Sequence, residues 1–422
     1  MSTLKARFVS IVDKCYIEVL IIAFLLYRLL ITLNDTLCGY VSLWYALDYS
    51  YGFGSRLLIG TILRFLNRGG YIQEESAYAF VIIANILLSV ILGILLGKVL
   101  RKALTYGNDV FFAVSVLVVL YLASPANPEY LWNGANLGRL DTFLIINMMI
   151  IILISFKVKN RVIRYISFLS IALISILIHQ IYFFLFFPSL LVIYICDTWK
   201  YGVDKKDKKQ YLIAIGSVAI IFLAFCFMQF CSGVYYDDLD ELYNDLCAST
   251  SVYVDIAPLQ AEYFWSIKDH FVTNMLPDMK ERLRFAPLTV IMLAPMWVIY
   301  TKIWNMVIKS AKDRVQKWKY ILIRLTYILY IPVFALMNDY GRWFAALFIM
   351  MLMNLLVLIF NKDELVIDAV AKCGAFFKKY PIVPLMIIVY IAGFEKFWAL
   401  HWIQEVQDFF YASYDLFAMF FR

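Results

Sequence analysis

Long apolar stretches recur along nearly the whole chain, and they constrain the fold more than any other feature. The composition is 63% hydrophobic and only 16% charged, with a mean hydropathy of +0.77. A helix needs roughly 20 apolar residues to cross the hydrocarbon core, and it satisfies its own backbone hydrogen bonds there. The sequence therefore predicts an all-α, polytopic membrane protein, with residues 1–422 forming a single integral membrane domain.

The distribution of Lys and Arg orients the spans. We predict eleven spans, with the N-terminus inside and the C-terminus outside: 15–33, 77–96, 110–123, 142–156, 165–179, 181–196, 211–231, 287–307, 321–337, 343–360 and 381–399. Six segments then lie inside: 1–14, 97–109, 157–164, 197–210, 308–320 and 361–380. These six hold 24 of the 38 Lys and Arg residues, in agreement with the positive-inside rule.

Two regions are compatible with more than one assignment of spans. Residues 52–66 are apolar, but a span there would move 21 inner Lys and Arg residues to the outer side. We therefore predict outer loops over 34–76 and 232–286. Residues 165–196 could form one long helix. A hairpin of two short helices, turning at His179-Gln180 below the outer surface, keeps both flanking basic clusters inside, so the hairpin is predicted.

Ionisable residues beside Gly or aromatic residues gather in the predicted outer loops. They occur in four short segments: Asp48 to Arg56, Arg139 to Asp141, His179-Gln180 and Asp339 to Arg342. Each segment lies at the mouth of a predicted span. This arrangement predicts a polar cavity at the outer face.

One of these loops continues into a basic stripe. Arg56, Gly60, Arg64 and Arg68 recur at intervals of four between Phe53 and Arg68, with apolar residues on the other faces. As a helix, this segment would lie in the outer interface with its stripe facing phosphate. The phosphate could belong to a bound substrate, or the stripe could only anchor the loop to lipid head groups.

Arginines in an outer cavity suit a phosphorylated lipid, because a guanidinium binds a diphosphate through paired, charge-assisted hydrogen bonds. The candidate diphosphate-binding residues are Arg56, Arg139 and Arg342. Candidate supporting residues are Arg28, Asp141, Asp339 and Tyr340. Arg28 lies within the first span and must find a partner or water in the cavity, or extend its side chain to the surface.

A sugar hydroxyl that attacks an anomeric carbon needs a base, and Asp48 and His179 are placed to supply one. The alternatives are structural. Asp48 could cap a helix or pair with an arginine in its own loop. His179 could be a polar residue that bonds backbone groups at the tip of the hairpin.

Several other patterns indicate packing or lipid contact. Asp238-Leu239-Asp240 resembles a metal-binding motif but lies in an acidic outer segment, and no metal or other cofactor is predicted. Gly93-x-x-x-Gly97 is typical of helix packing. Cys38 and Cys247 could form a disulfide, although small packing residues are the simpler interpretation. The net charge of +7 comes from the inner loops and indicates contact with anionic membrane lipids, not nucleic acid.

The layout resembles the membrane-embedded bacterial polysaccharide polymerases and the wider GT-C-like class of polytopic glycosyltransferases that use polyprenyl-linked sugars. The matching elements are Asp48 to Arg56, Arg139-Leu140-Asp141, His179-Gln180 and Asp339 to Arg342. The resemblance implies transfer of undecaprenyl-diphosphate-linked glycans at the outer face of a bacterial cytoplasmic membrane. The paired acidic residues common in the first loop of many such transferases are represented here only by Asp35 and Asp48, thirteen apart, which favours a metal-independent, arginine-dependent reaction. The resemblance also implies partners such as a chain-length regulator or other envelope-assembly proteins.

Two other classes stay open at this point. One is a transporter or flippase for a lipid-linked glycan, which should carry ionisable residues at mid-membrane and on both sides. The other is a non-catalytic membrane subunit of an envelope complex. The concentration of polar residues on the predicted outer side favours the enzyme.

Overall fold

The computed structural model describes residues 2–132, 136–200, 208–270, 289–336 and 339–394, together with isolated positions at 272, 273, 276, 287 and 419. The described secondary structure is almost entirely helical, which confirms the all-α prediction for these residues. The two strands are β1 (Gly52–Phe53) and β2 (Gly233–Val234), and they pair in antiparallel fashion.

The helices fall in two groups along the chain. Those before residue 201 are α1 (Ser2–Thr32), α2 (Gly39–Ala46), α3 (Leu57–Leu66), α4 (Glu74–Leu104), α5 (Asn108–Ala123), α6 (Asp141–Lys157), α7 (Arg161–Ile178), α8 (Tyr182–Leu185) and α9 (Phe187–Lys200). Those after it are α10 (Lys208–Phe230), α11 (Leu239–Ser249), α12 (Ile256–Tyr263), α13 (Ile267–His270), α14 (Ala294–Ser310), α15 (Arg314–Leu325), α16 (Tyr330–Leu336), α17 (Tyr340–Phe360), α18 (Glu364–Lys379) and α19 (Ile382–Ala392). Short 3-10 turns cover Pro128–Leu131 and Thr326–Leu329.

Six helical stretches among the described residues are long and apolar enough to cross a membrane. A seventh is added if α18 and α19, which meet at an angle of 96°, together form one broken span. The six are Cys15–Thr32, Glu74–Leu104, Asn108–Leu131, Arg161–Ile178, Leu212–Phe230 and Tyr340–Phe360. The chain therefore has the helices of a membrane protein.

Shorter helices lie in the other predicted spans. α6 and α14 have 17 residues each, and the helix at 181–196 is interrupted between α8 and α9. Part of the predicted span 381–399, the C-terminal segment with His401, most of 271–286 and the side chain of His270 lie outside the described residues. The count of eleven spans and their orientation stay predictions.

The chain divides into two compact units. The first comprises 1–107, 131–264 and 359–361, and the second comprises 108–130, 265–358 and 362–422. Each unit is assembled from separated stretches of sequence. The prediction of a single membrane domain concerns the whole chain and stays a prediction.

In the first unit, α1 packs closely on α4. A Cβ atom added to Gly93 would lie 2.4 Å from a side-chain carbon of Ile22, and one added to Gly97 would lie 2.4 Å from Cγ of Glu18. The two glycines therefore permit the close approach of the helices, which supports the packing interpretation of this motif. The buried Glu18 carboxylate pairs with Arg101 of α4 beside this contact.

The predicted break in 165–196 is present in the first unit. α7 ends at Ile178, His179 has an extended backbone, and helix resumes at Tyr182. The ring of Phe168 in α7 stacks on those of Phe187 and Tyr194 in α9, with centroid distances of 5.8 and 5.5 Å. The two helices therefore lie side by side, and residues 179–181 form the tip of a hairpin.

The second unit is organised around pairs of packed helices. α5 packs on α18 and α19, and α14 packs on α15 and α18. The carboxylate of Asp363 caps the start of α18 and accepts hydrogen bonds from Lys319 at 2.5 Å and from the Tyr320 hydroxyl at 2.7 Å. Nearly every residue of α17 is buried.

Candidate functional site

Two predicted outer loops of the first unit form one continuous structure, which we call the paired loops (residues 34–73 and 232–264). The β1–β2 pair joins them, and the Tyr51 hydroxyl donates to Ser249 Oγ at 2.7 Å. Ser42 Oγ donates to the carbonyl of Tyr253 at 2.5 Å, and α12 packs on α2. Side chains from distant parts of the sequence therefore meet within the paired loops.

The basic stripe does not lie on one helix as predicted. α3 begins at Leu57, and Arg56 before it and Arg68 after it both have left-handed backbones, with φ of +74° and +58°. Gly60 faces protein, because a Cβ there would lie 1.8 Å from the Leu47 carbonyl oxygen. The helical prediction followed the regular spacing, but the backbone turns at both ends and the four residues have different surroundings.

Asp48 is buried and fully engaged within the paired loops. Its Oδ2 accepts a hydrogen bond from Arg64 Nε, and its Oδ1 accepts one from the Ser50 backbone N–H at 2.6 Å. The guanidinium of Arg64 lies 5.7 Å from the ring centre of Tyr51. This arrangement corresponds to the structural alternative for Asp48, an arginine partner in its own loop.

Arg56 connects the paired loops to the hairpin. Its backbone N–H donates to the Leu177 carbonyl at 3.0 Å, and the preceding Ser55 donates to the side chain of Gln180. Its guanidinium lies 4.8 Å from the ring centre of Trp44, and Nη1 is 2.9 Å from Glu262 Oε2. The left-handed backbone at a non-glycine residue is uncommon, and it also occurs in the turns at Arg68 and Lys362.

Arg139 is buried, and its guanidinium lies 5.7 Å from the ring centre of Tyr40. The segment that carries it is held against α2, because Tyr45 Oη donates to the Gly138 carbonyl at 2.7 Å. Residues four apart on a helix share a face. Since Tyr40 and Trp44 have this spacing, Arg139 and Arg56 lie over rings one helical turn apart.

His179 caps the end of α7 and is buried. Its Nδ1 is 3.3 Å from Gln180 Oε1 and accepts weakly from the Ile181 N–H at 3.4 Å. Gln180 in turn accepts from Ser55. His179 therefore lies one side chain away from the segment that carries Arg56, and its ring bonds groups of the hairpin tip.

Two supporting candidates of the first unit lie on helices. Arg28 is half-buried within α1, and its carbonyl accepts from Thr32 Oγ1 at 2.7 Å. Asp141 is buried in the first turn of α6, and its neighbour Thr142 donates to Asn85 Oδ1 at 3.3 Å. Both residues have further interactions with other groups.

The remaining candidates belong to the second unit. Arg342, at the start of α17, is buried and pairs with Asp339. Its guanidinium also lies 4.7 Å from the ring centre of Trp343, and the ring of Tyr340 stacks on that of Phe334. The convergence of Arg342 with Arg56 and Arg139 stays a prediction.

Sequence reasoning missed Glu262 and Tyr263, the residues of α12 beside Arg56. Neither belongs to a motif, and no local spacing links them to the first loop. The signal in the sequence was only a carboxylate next to a tyrosine in a large outer loop. Their importance comes from the packing of α12 on α2.

The structure also bears on the predicted disulfide and on possible metal-binding groups. Cys38 and Cys247 are both free thiols, so the disulfide is not formed. Within the described ranges, no group of three or more His, Cys, Asp or Glu side chains could hold a metal ion. The metal-independent reaction stays a prediction.

Comparison with known proteins gives no further assignment. No family model, curated protein or solved structure matches this chain.

Proposed function

We propose that this protein is a membrane glycosyltransferase of the polysaccharide polymerase type. In this proposal its substrates are undecaprenyl-diphosphate-linked glycans at the outer face of a bacterial cytoplasmic membrane. The chain crosses that membrane eleven times, with the N-terminus inside. Arg56 and Arg139 bind the diphosphate, and Arg342 stays a candidate diphosphate-binding residue from the sequence. Asp48 and His179 stay the candidate bases from the sequence.

One observation carries the proposal. Arg56 and Arg139 lie over Trp44 and Tyr40, two rings that are one helical turn apart on α2. Residues with this spacing lie on one face of a helix, so the two guanidinium groups lie over neighbouring rings, and we propose that each binds one phosphate of a diphosphate. Stacking on a ring fixes the plane of a guanidinium, so less entropy is lost on binding.

This charge arrangement supports a transfer reaction. Fixed guanidinium groups stabilise the negative charge that develops on a diphosphate leaving group. They also bind a lipid diphosphate before reaction, so their loss should affect both substrate affinity and turnover. A transporter would need the same recognition but would move its ligand across the membrane.

The test uses cells in which the gene for this protein is deleted and a variant of the protein is expressed in its place. Arg56→Lys or Arg139→Lys keeps the charge but loses the planar fork, and we expect short or absent surface glycan chains at normal protein levels. Arg68→Lys is the matched control, because Arg68 is exposed at the end of α3. Wild-type chain length in both variants would remove the diphosphate site.

The deletion cells without any variant distinguish an enzyme from a transporter by the side of the membrane on which lipid-linked glycan accumulates. If the protein is a transferase, unpolymerised lipid-linked glycan accumulates on the outer face, where an impermeant oxidant of sugar diols can reach it. If it is a transporter, the lipid-linked glycan accumulates on the inner face and is protected in intact cells. Protection would overturn the transferase proposal.

A further inference from the structure

Glu262 and Arg56 form an ion pair that is accessible to solvent. Arg56 Nη1 lies 2.9 Å from Glu262 Oε2, and the two side chains are 19% and 21% exposed. By contrast, the Asp48 side chain is only 4% exposed. A ligand can therefore reach Glu262 more readily than Asp48.

The available oxygens distinguish these two carboxylates further. Both oxygens of Asp48 accept hydrogen bonds, from Arg64 and from Ser50. In the part of the chain that the structure describes, Arg56 binds Oε2 of Glu262, while Oε1 accepts no hydrogen bond. A general base needs a lone pair within reach of the proton that it accepts. Glu262 meets this condition better than Asp48, because it is more exposed, whereas both Asp48 oxygens are buried and each already accepts a hydrogen bond.

Two buried donors beside Glu262 lack acceptors among the described residues. One is Nε of Arg56, and the other is the hydroxyl of Tyr263. Buried polar atoms usually have hydrogen-bond partners, and a substrate oxygen is a group that these two donors could bind. Arg56 also has a left-handed backbone, so the structure sustains local strain at the same place.

The Tyr263 hydroxyl interacts electrostatically with both Glu262 and Arg56. Burial raises the pKa of its hydroxyl, the carboxylate of Glu262 raises it further, and the guanidinium of Arg56 lowers it. The hydroxyl therefore keeps its proton and can donate a hydrogen bond to a substrate oxygen. Tyr49 also lies within electrostatic reach of Tyr263.

We propose that Glu262 is the base of the transfer reaction, and that Arg56 and Tyr263 bind the lipid-linked substrate beside it. This inference rests on the proposed function. The acceptor hydroxyl oxygen bonds to the anomeric carbon, and the bond from that carbon to the diphosphate oxygen breaks. Its electron pair leaves with the diphosphate, and the hydroxyl proton passes to Glu262. Arg56 orients Glu262 through Nη1 and can donate to the leaving oxygens through its other N–H groups.

The experiment uses the purified full-length protein and the lipid-linked glycan fraction extracted from cells that lack it. Glu262→Gln should lower kcat at least 100-fold with a change in KM below about threefold, as expected for loss of a general base. Glu262→Asp should retain more activity than Glu262→Gln. Formate should restore turnover to Glu262→Ala, an effect that a structural role would not produce. Glu241→Gln, an exposed residue of the same loop, is the control.

A second variant keeps the test informative if the Glu262 variants misfold. Tyr263→Phe removes one oxygen that bonds no described group, so Tm in detergent should not change. We expect KM for the lipid-linked glycan fraction to rise about tenfold, the equivalent of one lost hydrogen bond of about 1.4 kcal/mol. If every Glu262 variant unfolds, the KM of Tyr263→Phe tests the site alone, and an unchanged KM would overturn the proposed site.

The outcomes separate the inference from the proposed function. Wild-type turnover in Glu262→Gln, with transfer intact, would overturn the role of Glu262 and leave the transferase standing. A wild-type protein that binds undecaprenyl diphosphate but transfers no sugar would overturn both.

Discussion

Arg64 of α3 donates a hydrogen bond to Asp48, the residue that begins the turn leading into that helix. The Asp48 side chain is almost completely buried, and Arg64 is 19% exposed. Charges taken out of water in this way are stable only while they stay paired. The pair therefore fixes the path of residues 48–64, including the position of Arg56 against the hairpin.

The first prediction is that Asp48 and Arg64 are energetically coupled. Asp48→Ala or Arg64→Ala alone leaves one buried charge unpaired, which should lower the free energy of unfolding by about 3 kcal/mol or more. The double variant should lose less than the sum of the two single variants. Thermal unfolding of the purified protein in detergent measures this coupling.

Arg68→Ala is the control for this cycle. Arg68 is exposed, so its replacement should change stability by no more than about 0.5 kcal/mol. Strict additivity of Asp48→Ala and Arg64→Ala would contradict the ion pair.

The second prediction concerns Gly60. A Cβ at this position would lie 1.8 Å from the Leu47 carbonyl oxygen and 3.3 Å from that of Trp44. Alanine would add about 1 kcal/mol of helix propensity to α3, but the overlap with backbone should outweigh this gain. We expect Gly60→Ala to lower Tm and to weaken binding of undecaprenyl diphosphate, because α3 must move away from the end of α2 and displace Arg56, its N-cap residue.

Gly70→Ala is the matched substitution. The nearest atom to a Cβ at Gly70 is a carbonyl oxygen at 3.4 Å, and the backbone there does not need positive φ. Its Tm and binding should stay close to wild type. A Gly60→Ala protein as stable as wild type would show that α3 can be repositioned without cost.

The sequence predicted the helices well because their signal is local. Apolar runs identified the long helices, and the basic clusters that flank 165–196 led to the break at His179, which the structure contains. The spacing of Gly93 and Gly97 also predicts a helix-packing face, although it does not identify α1 as the partner helix. The helices and the break are decided by neighbours in sequence.

The candidate site depends on contacts between distant residues, and a single sequence does not reveal these. The spacing of Arg56, Gly60, Arg64 and Arg68 predicted one helical stripe, but Asp48 pairs with Arg64 while Arg56 turns towards Glu262. Nothing near Glu262 in the sequence marks it as the partner of Arg56. Packing of α12 on α2 brings the two together.

The third prediction concerns orientation across the membrane. The predicted inner segments hold 24 of the 38 Lys and Arg residues. Single cysteines placed in 197–210 or 308–320 of a cysteine-free variant should therefore be shielded from an impermeant thiol reagent in intact cells. Cysteines placed in 240–280 should react. Labelling of 197–210 from outside would refute the hairpin topology.

The last prediction separates the residues that position the site from the base itself. Asp48 is engaged by Arg64 and Ser50, and the His179 ring bonds groups at the tip of the hairpin. If Glu262 accepts the proton, Asp48→Asn and His179→Gln should each keep turnover within about tenfold of wild type per folded molecule, well short of the loss expected for a general base.

Tm in detergent gives the folded fraction for this comparison, and turnover of the extracted lipid-linked glycan gives the rate. Asp48→Asn should also lower Tm, because the neutral amide no longer balances the charge of Arg64. A loss of 100-fold or more in one of these two variants, with Tm unchanged, would identify that residue as the base. Glu262 would then serve only to orient Arg56, and its glutamine variant should keep most of its turnover.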